Sequence, residues 1–203
     1  VADRRTTARD LAQIAVFAAL IAALGLTGTL YLGGGTAVPI TLQTLGVMLA
    51  GAILGPRKGF LAVLVFELLV MTGLPLLSGG RGGIGVLAGP TAGYLIGWLP
   101  GVFVVGFLTK RILPRYPLWL GIVVTAIGGV LVIYTIGTIW LIAKGIAPGV
   151  AISSNVNFLI GDAIKVVVTA LVAKQVHRSY PGLIGGVPAR SPLAGRPTAS
   201  LEK

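Results

Sequence analysis

Charge is what this chain has least of. Only 10% of its 203 residues are charged, where a soluble domain carries about 25%, and five in all are acidic. So few charged side chains cannot cover a water-facing surface, which excludes an ordinary soluble globular domain. Cysteine is absent, so disulfides and thiolate metal sites are excluded. The single histidine, His177, stands among basic residues near the end of the chain and offers no basis for a histidine metal centre. No nucleophile–base set is visible, so the chain does not read as an enzyme. A Walker A string is also missing, so it cannot hydrolyse ATP by that route. Residues Gly80 to Gly85 satisfy G-x-G-x-x-G, but they lie between two apolar runs rather than after a strand, and the match is discarded.

What is present is apolar. The chain is 55% hydrophobic with a mean hydropathy of +0.97, and a bilayer is the solvent that suits it. The formal charge of +11 comes from basic residues in short groups between apolar runs, the footprint of membrane topology rather than of nucleic-acid binding. No charge appears from Leu11 to Pro56, too long a run for one span of roughly 20 residues. Glycines 33–35 and Pro39 break it. The pattern predicts an all-α fold, a bundle of six transmembrane helices over residues 11–32, 40–54, 59–74, 84–108, 118–143 and 151–176. The first run resembles a signal peptide in its basic flank but is as long as a full span, and it reads as a retained helix. With the N-terminus inside, 13 of the 16 basic residues fall on the inner side; only Arg81 and Lys144 lie in outer loops, and Lys165 lies within the last helix. That asymmetry predicts cytoplasmic N- and C-termini. Residues 1–10 form a cytoplasmic segment, 11–177 the membrane domain, and 178–203 a basic tail rich in Pro, Gly and Ser that reads as disordered.

An ionisable residue inside a membrane helix is costly and calls for a functional hypothesis. The last helix has two, Asp162 and Lys165, whose spacing of three puts them on nearly one face. They can offer an acceptor and a donor to a polar ligand, or can neutralise each other and pin helix packing. Ser153, Ser154, Asn155 and Asn157 make the same end polar. Arg81 stands alone in a glycine-rich outer loop; its guanidinium suits a carboxylate, or can reach lipid headgroups. Gly85, Gly89, Gly93, Gly97 and Gly101 recur every four residues, as close helix packing requires, with Tyr94 beside them as a candidate aromatic wall. Small residues, Ala15 and Ala19 among them, line the first helix and fit either internal packing or another membrane subunit. Glu67, midway along the third predicted helix, could pair with a cation, relay a proton or be neutral.

Four strings then stand in order: Val38-Pro39-Ile40-Thr41-Leu42-Gln43-Thr44-Leu45, Gly79-Gly80-Arg81-Gly82-Gly83, Gly89-Pro90-Thr91-Ala92-Gly93-Tyr94 and Gly161-Asp162-Ala163-Ile164-Lys165. Together they closely resemble the BioY family, the biotin-specific S components of energy-coupling factor (ECF) transporters of prokaryotes. The resemblance covers nearly the whole chain except its tails. It implies a six-helix, multi-pass protein of the prokaryotic cell (inner) membrane that captures biotin at the external face. It implies partnership with a transmembrane coupling subunit and a pair of cytoplasmic ATPases, and no cofactor besides biotin as the transported ligand. Ala15 and Ala19 fall on the family's docking face, Asp162 and Lys165 on its last-helix motif, and Arg81 on its loop arginine. On that basis Asp162 would accept from ureido N–H groups, Lys165 would donate to the ureido oxygen or the carboxylate, and Arg81 would hold the carboxylate. Gln43, Asn157 and Tyr94 would be secondary ligand contacts. Two positions depart from the pattern: Glu67, where an apolar residue is expected, and Ala92, where glycine is usual. Alternative readings are an S component for another vitamin and a proton-coupled secondary carrier using Glu67.

Overall fold

The computed structural model describes residues 7–26 and 41–185, apart from the side chain of Asn157. The predicted break at residues 33–39 lies outside them. Within them the chain is helical, and its one β-type pairing is an isolated bridge between Leu77 and Arg81. The helices are α1 (Ala8–Leu26), α2 (Gln43–Met71), α3 (Ala92–Ile112), α4 (Leu118–Ala126), α5 (Ile133–Ala143), α6 (Pro148–Ser154) and α7 (Val156–Ser179). Among the described residues three stretches are long and apolar enough to cross a bilayer: α1, α3, and the continuous run Leu118–Ala143. A fourth joins Pro148–Ser154 to Phe158–Ser179 if that pair, bent by 43°, acts as one span. Large apolar side chains such as Val16, Leu68, Trp119, Leu131, Ile139 and Ile164 are exposed, as lipid contact requires.

Each helix boundary has a local cause. The turn expected at Arg57 and Lys58 is compressed into Gly55, whose φ of 82° suits glycine, and the helix resumes at Pro56. The chain doubles back there, for a Cβ at Gly59 would lie 2.8 Å from the Ala50 carbonyl oxygen. The helix expected from residue 84 starts only at Ala92. Gly89 and Pro90 interrupt it, and Ile84–Ala88 form a single 3₁₀ turn. Gly85 and Gly89 therefore stand outside the helical stripe. The helix expected over 151–176 is two, α6 and α7, hinged at Asn155. A π-helical turn, Ile127–Val132, joins α4 to α5.

The rest of the glycine stripe does pack helices. A Cβ at Gly97 would lie 3.2 Å from Ile133 Cα, and one at Gly101 would lie 2.8 Å from the Gly128 carbonyl oxygen, so α3 meets the π turn and α5 backbone to backbone. The core formed there includes Val47, Val63, Phe66, Trp98, Val102 and Ile133. On α1, Ile14, Ala18, Ile21 and Gly25 are buried, while Ala15 and Ala19 face outward.

The end of the bundle holding the start of α1 is tied by Lys58. Its Nζ meets Asp10 Oδ1 at 3.2 Å and donates to Gln13 Oε1 at 2.7 Å and the Leu183 carbonyl at 3.3 Å. His177, near the end of α7, is buried, with Nε2 2.8 Å from the Ala52 carbonyl oxygen. Helix α7 runs to Ser179, and beyond it Ile184 is buried against Gly55.

The close approach at Gly101 yields a prediction. Gly101→Leu should lower the melting temperature of the detergent-purified protein by several degrees, an overpacking cost of about 1–3 kcal/mol. Gly85→Leu, with open space around it, should leave the melting temperature unchanged. Equal effects of the two would refute the packing role.

Candidate functional site

At the opposite end of the bundle the helices part around an open-mouthed cavity. Its walls come from five places: the start of α2 (Thr41, Gln43, Thr44), the turn before the 3₁₀ segment (Leu77, Ser78, Arg81), α3 (Tyr94, Leu95, Trp98), the π turn with α5 (Gly129, Ile133, Tyr134), and α7 (Phe158, Asp162, Lys165). Most of the lining is apolar or aromatic. The Tyr94 ring meets those of Tyr134 and Phe158 edge-on, each at 6.4 Å between centroids.

The charged floor of the cavity is the α7 pair. Lys165 Nζ lies 2.7 Å from Asp162 Oδ1, and their side chains are 7% and 5% exposed. Lys165 also donates to Thr44 Oγ1 at 3.0 Å, and that hydroxyl donates to Asp162 Oδ1 at 3.3 Å. The Tyr134 hydroxyl donates to the other carboxylate oxygen, Oδ2, at 2.6 Å. Two charges this deeply buried persist only when paired and further hydrogen-bonded, and here α2, α5 and α7 all contribute. A carboxylate has about four acceptor sites and an ammonium three donors. The pair therefore keeps capacity for a polar ligand entering from the cavity.

Arg81 stands at the mouth. Its Nε donates to the Ser78 carbonyl at 3.2 Å and its Nη1 to Thr91 Oγ1 at 3.2 Å. Residues 77 and 81 exchange backbone hydrogen bonds at 3.0 and 3.2 Å, and the left-handed glycines Gly79 (φ 78°) and Gly80 (φ 68°) close the turn between them. The guanidinium is thereby held beside a polar entrance with donors to spare.

The secondary candidates divide. The Tyr94 ring lines the cavity, but its hydroxyl donates to Asn155 Oδ1 at 2.8 Å, and Asn155 Nδ2 donates to Thr138 Oγ1 at 2.8 Å. That chain of bonds braces the α6–α7 hinge. Gln43 lines the cavity while its amide is engaged with backbone groups: Nε2 donates to the Leu76 carbonyl at 3.0 Å, and Oε1 accepts from the Ser78 N–H at 3.1 Å. Asn157 is on α7, and its side chain lies outside the described residues. Glu67 is buried on α2 and is not among the cavity's lining residues; its Oε1 has no hydrogen-bond partner among the described residues. Ala92 is fully buried at the start of α3. Among the described residues no three His, Cys, Asp or Glu side chains stand close enough to share a metal ion.

Sequence reasoning missed Thr44, Tyr134, Trp98 and Phe158. Thr44 lies within a string already singled out, whereas Tyr134 carries no local signal, since a tyrosine in an apolar run reads equally well as core or interface.

Comparison with known proteins agrees with this architecture. The BioY family model matches residues 2–182. The chain is 46% identical over 187 residues to the biotin transporter BioY of Rhodobacter capsulatus, a match covering 87% of this chain and 97% of that one. It is 46% identical over 191 residues to the biotin transporter BioY of Rhizobium etli, covering 90% and 98%. Among solved structures it superimposes on the S-component for biotin from an ECF-type ABC transporter with a TM-score of 0.80 and 31% identity, covering 88% of this chain and 95% of that one.

The buried pair itself makes a prediction about stability. Removing one partner from such a pair strands the other charge, at a cost of about 3–5 kcal/mol. Lys165→Met alone should therefore lower the melting temperature more than the double change Asp162→Asn/Lys165→Met. A double variant as unstable as the sum of its two singles would show that the residues do not act as a pair.

Proposed function

The chain belongs to the BioY family, and from that premise we propose that it is the substrate-binding membrane subunit of a biotin importer. The observation that carries the reading is the Asp162–Lys165 pair, buried yet lining a cavity whose mouth is flanked by Arg81. Biotin combines a polar ureido ring, an apolar thioether ring and a carboxylate on a short chain. The cavity offers a matching sequence of surfaces. Asp162 accepts from the ureido N–H groups, and Lys165 donates to the ureido oxygen or to the carboxylate. Trp98, Leu95, Ile133 and Phe158 enclose the apolar ring, and Arg81 holds the carboxylate at the entrance. Each charge-assisted bond contributes roughly 1.5–3 kcal/mol, and apolar burial supplies the remainder of the ~12 kcal/mol that nanomolar binding needs.

The topology we propose has six spans with both ends in the cytoplasm of a prokaryotic cell, so that the cavity opens outward. The Gly55 bend divides α2 into two helical stretches, α4 runs into α5, and α6 with α7 forms the last span. The inner-side excess of basic residues supports this orientation. Energy for release of the cargo comes from partners: a transmembrane coupling subunit and cytoplasmic ATPases. Ala15 and Ala19 support a docking role for α1, because they are exposed and small enough for another helix to approach closely.

The reading is tested by isothermal titration of biotin into the detergent-purified protein. Asp162→Asn should weaken binding at least tenfold while the protein still inserts in the membrane. Unchanged affinity would remove Asp162 from the site, and absence of biotin binding by the wild-type protein would sink the reading as a whole.

A further inference from the structure

Gln43 is 2% exposed, and its amide reaches three backbone groups from two distant segments. Nε2 faces the Leu76 carbonyl at 3.0 Å and the Ile21 carbonyl of α1 at 3.4 Å, while Oε1 accepts from the Ser78 N–H at 3.1 Å. The turn it grips is a small closed unit. Leu77 and Arg81 are bonded to each other in both directions, and Arg81 Nε is bonded to the Ser78 carbonyl. The unit is flanked by two left-handed glycines, Gly73 (φ 104°) and Gly83 (φ 83°), and the Gly83 N–H donates to the Val70 carbonyl of α2 at 2.7 Å. Gly83 ties the far end of the unit to α2, and the Gln43 amide is placed to fix the near end, at Leu76 and Ser78.

We propose that Gln43 is a positioning residue rather than a ligand contact: it fastens the 76–81 turn so that Arg81 is held over the cavity mouth. This rests on the reading that Arg81 meets a ligand carboxylate. Truncating Gln43 removes its hydrogen bonds to the Leu76 carbonyl and the Ser78 N–H, and with them the tie between the turn and the start of α2. Helix α1 is keyed to the same point, since a Cβ at Gly25 would lie 2.5 Å from the Leu76 carbonyl oxygen and 2.6 Å from Gln43 Nε2. Gly25→Ala should therefore loosen the fastening with Gln43 itself intact, which provides a second variant should Gln43→Leu fail to fold.

Two measurements test this. Hydrogen–deuterium exchange on the ligand-free protein should rise in residues 76–81 for Gln43→Leu and for Gly25→Ala. Titration with biotin and with its uncharged carboxamide analogue should show Gln43→Leu weakening biotin at least tenfold and the carboxamide no more than twofold. In an Arg81→Gln background the same change should cost biotin no more than twofold. Unchanged exchange in 76–81 overturns the proposal, as does equal weakening of both ligands. Failure of the wild-type protein to bind biotin would sink the functional reading alone, because the exchange experiment uses no ligand.

Discussion

A lysine and an aspartate one helical turn apart, sealed within a bundle that must sit in hydrocarbon, set the terms for the surrounding structure. Neither charge can be left alone there, and neither can be satisfied by α7 by itself. Thr44 from α2 and Tyr134 from α5 complete their hydrogen bonding, so three helices are drawn to one point. The same polarity keeps the spot from closing into apolar core. Next to it Gly129, in a π-helical turn, stands where a larger side chain would intrude on Met48. Such turns widen a helix locally and often mark functional sites. On this account the pair is structural and functional at once: its cost is offset by neighbours in the empty protein and by cargo in the loaded one.

The two ends of the bundle have different chemistry. One end is pinned by Lys58, which gathers α1, the Gly55 bend and the chain after α7. The other has the cavity, the glycine-flanked turn and the α6–α7 hinge. Packing is closest where α3 meets α5 through bare glycine backbone, whereas the mouth is built from short segments and turns.

Much of this was legible in the chain itself. Scarcity of charge and the grouping of basic residues between apolar runs marked a helical membrane protein. Asp162 and Lys165 were visible because charge in an apolar run is conspicuous, and Arg81 because it stands alone among glycines. Boundaries were less legible. A heavily apolar composition does not separate a 3₁₀ turn at Ile84–Ala88 from the first turns of a helix, and the hinge at Asn155 depends on its bonds to Tyr94 and Thr138, which are distant in sequence. The backbone partners of Gln43 and His177 were not legible for the same reason. A polar side chain's role is set by the backbone groups it meets, Leu76 and Ser78 for the one and Ala52 for the other, and these come together only in the folded chain. Tyr134 was invisible because its partner lies two helices away.

The central claim is that a buried ion pair doubles as the recognition centre for a polar cargo. A structure of the protein solved with biotin bound tests it most directly. The account predicts the ureido ring within hydrogen-bonding distance of Asp162 and the carboxylate within reach of Arg81 or Lys165. Biotin found elsewhere, with Asp162 and Lys165 still bonded only to each other and to Thr44 and Tyr134, would contradict it.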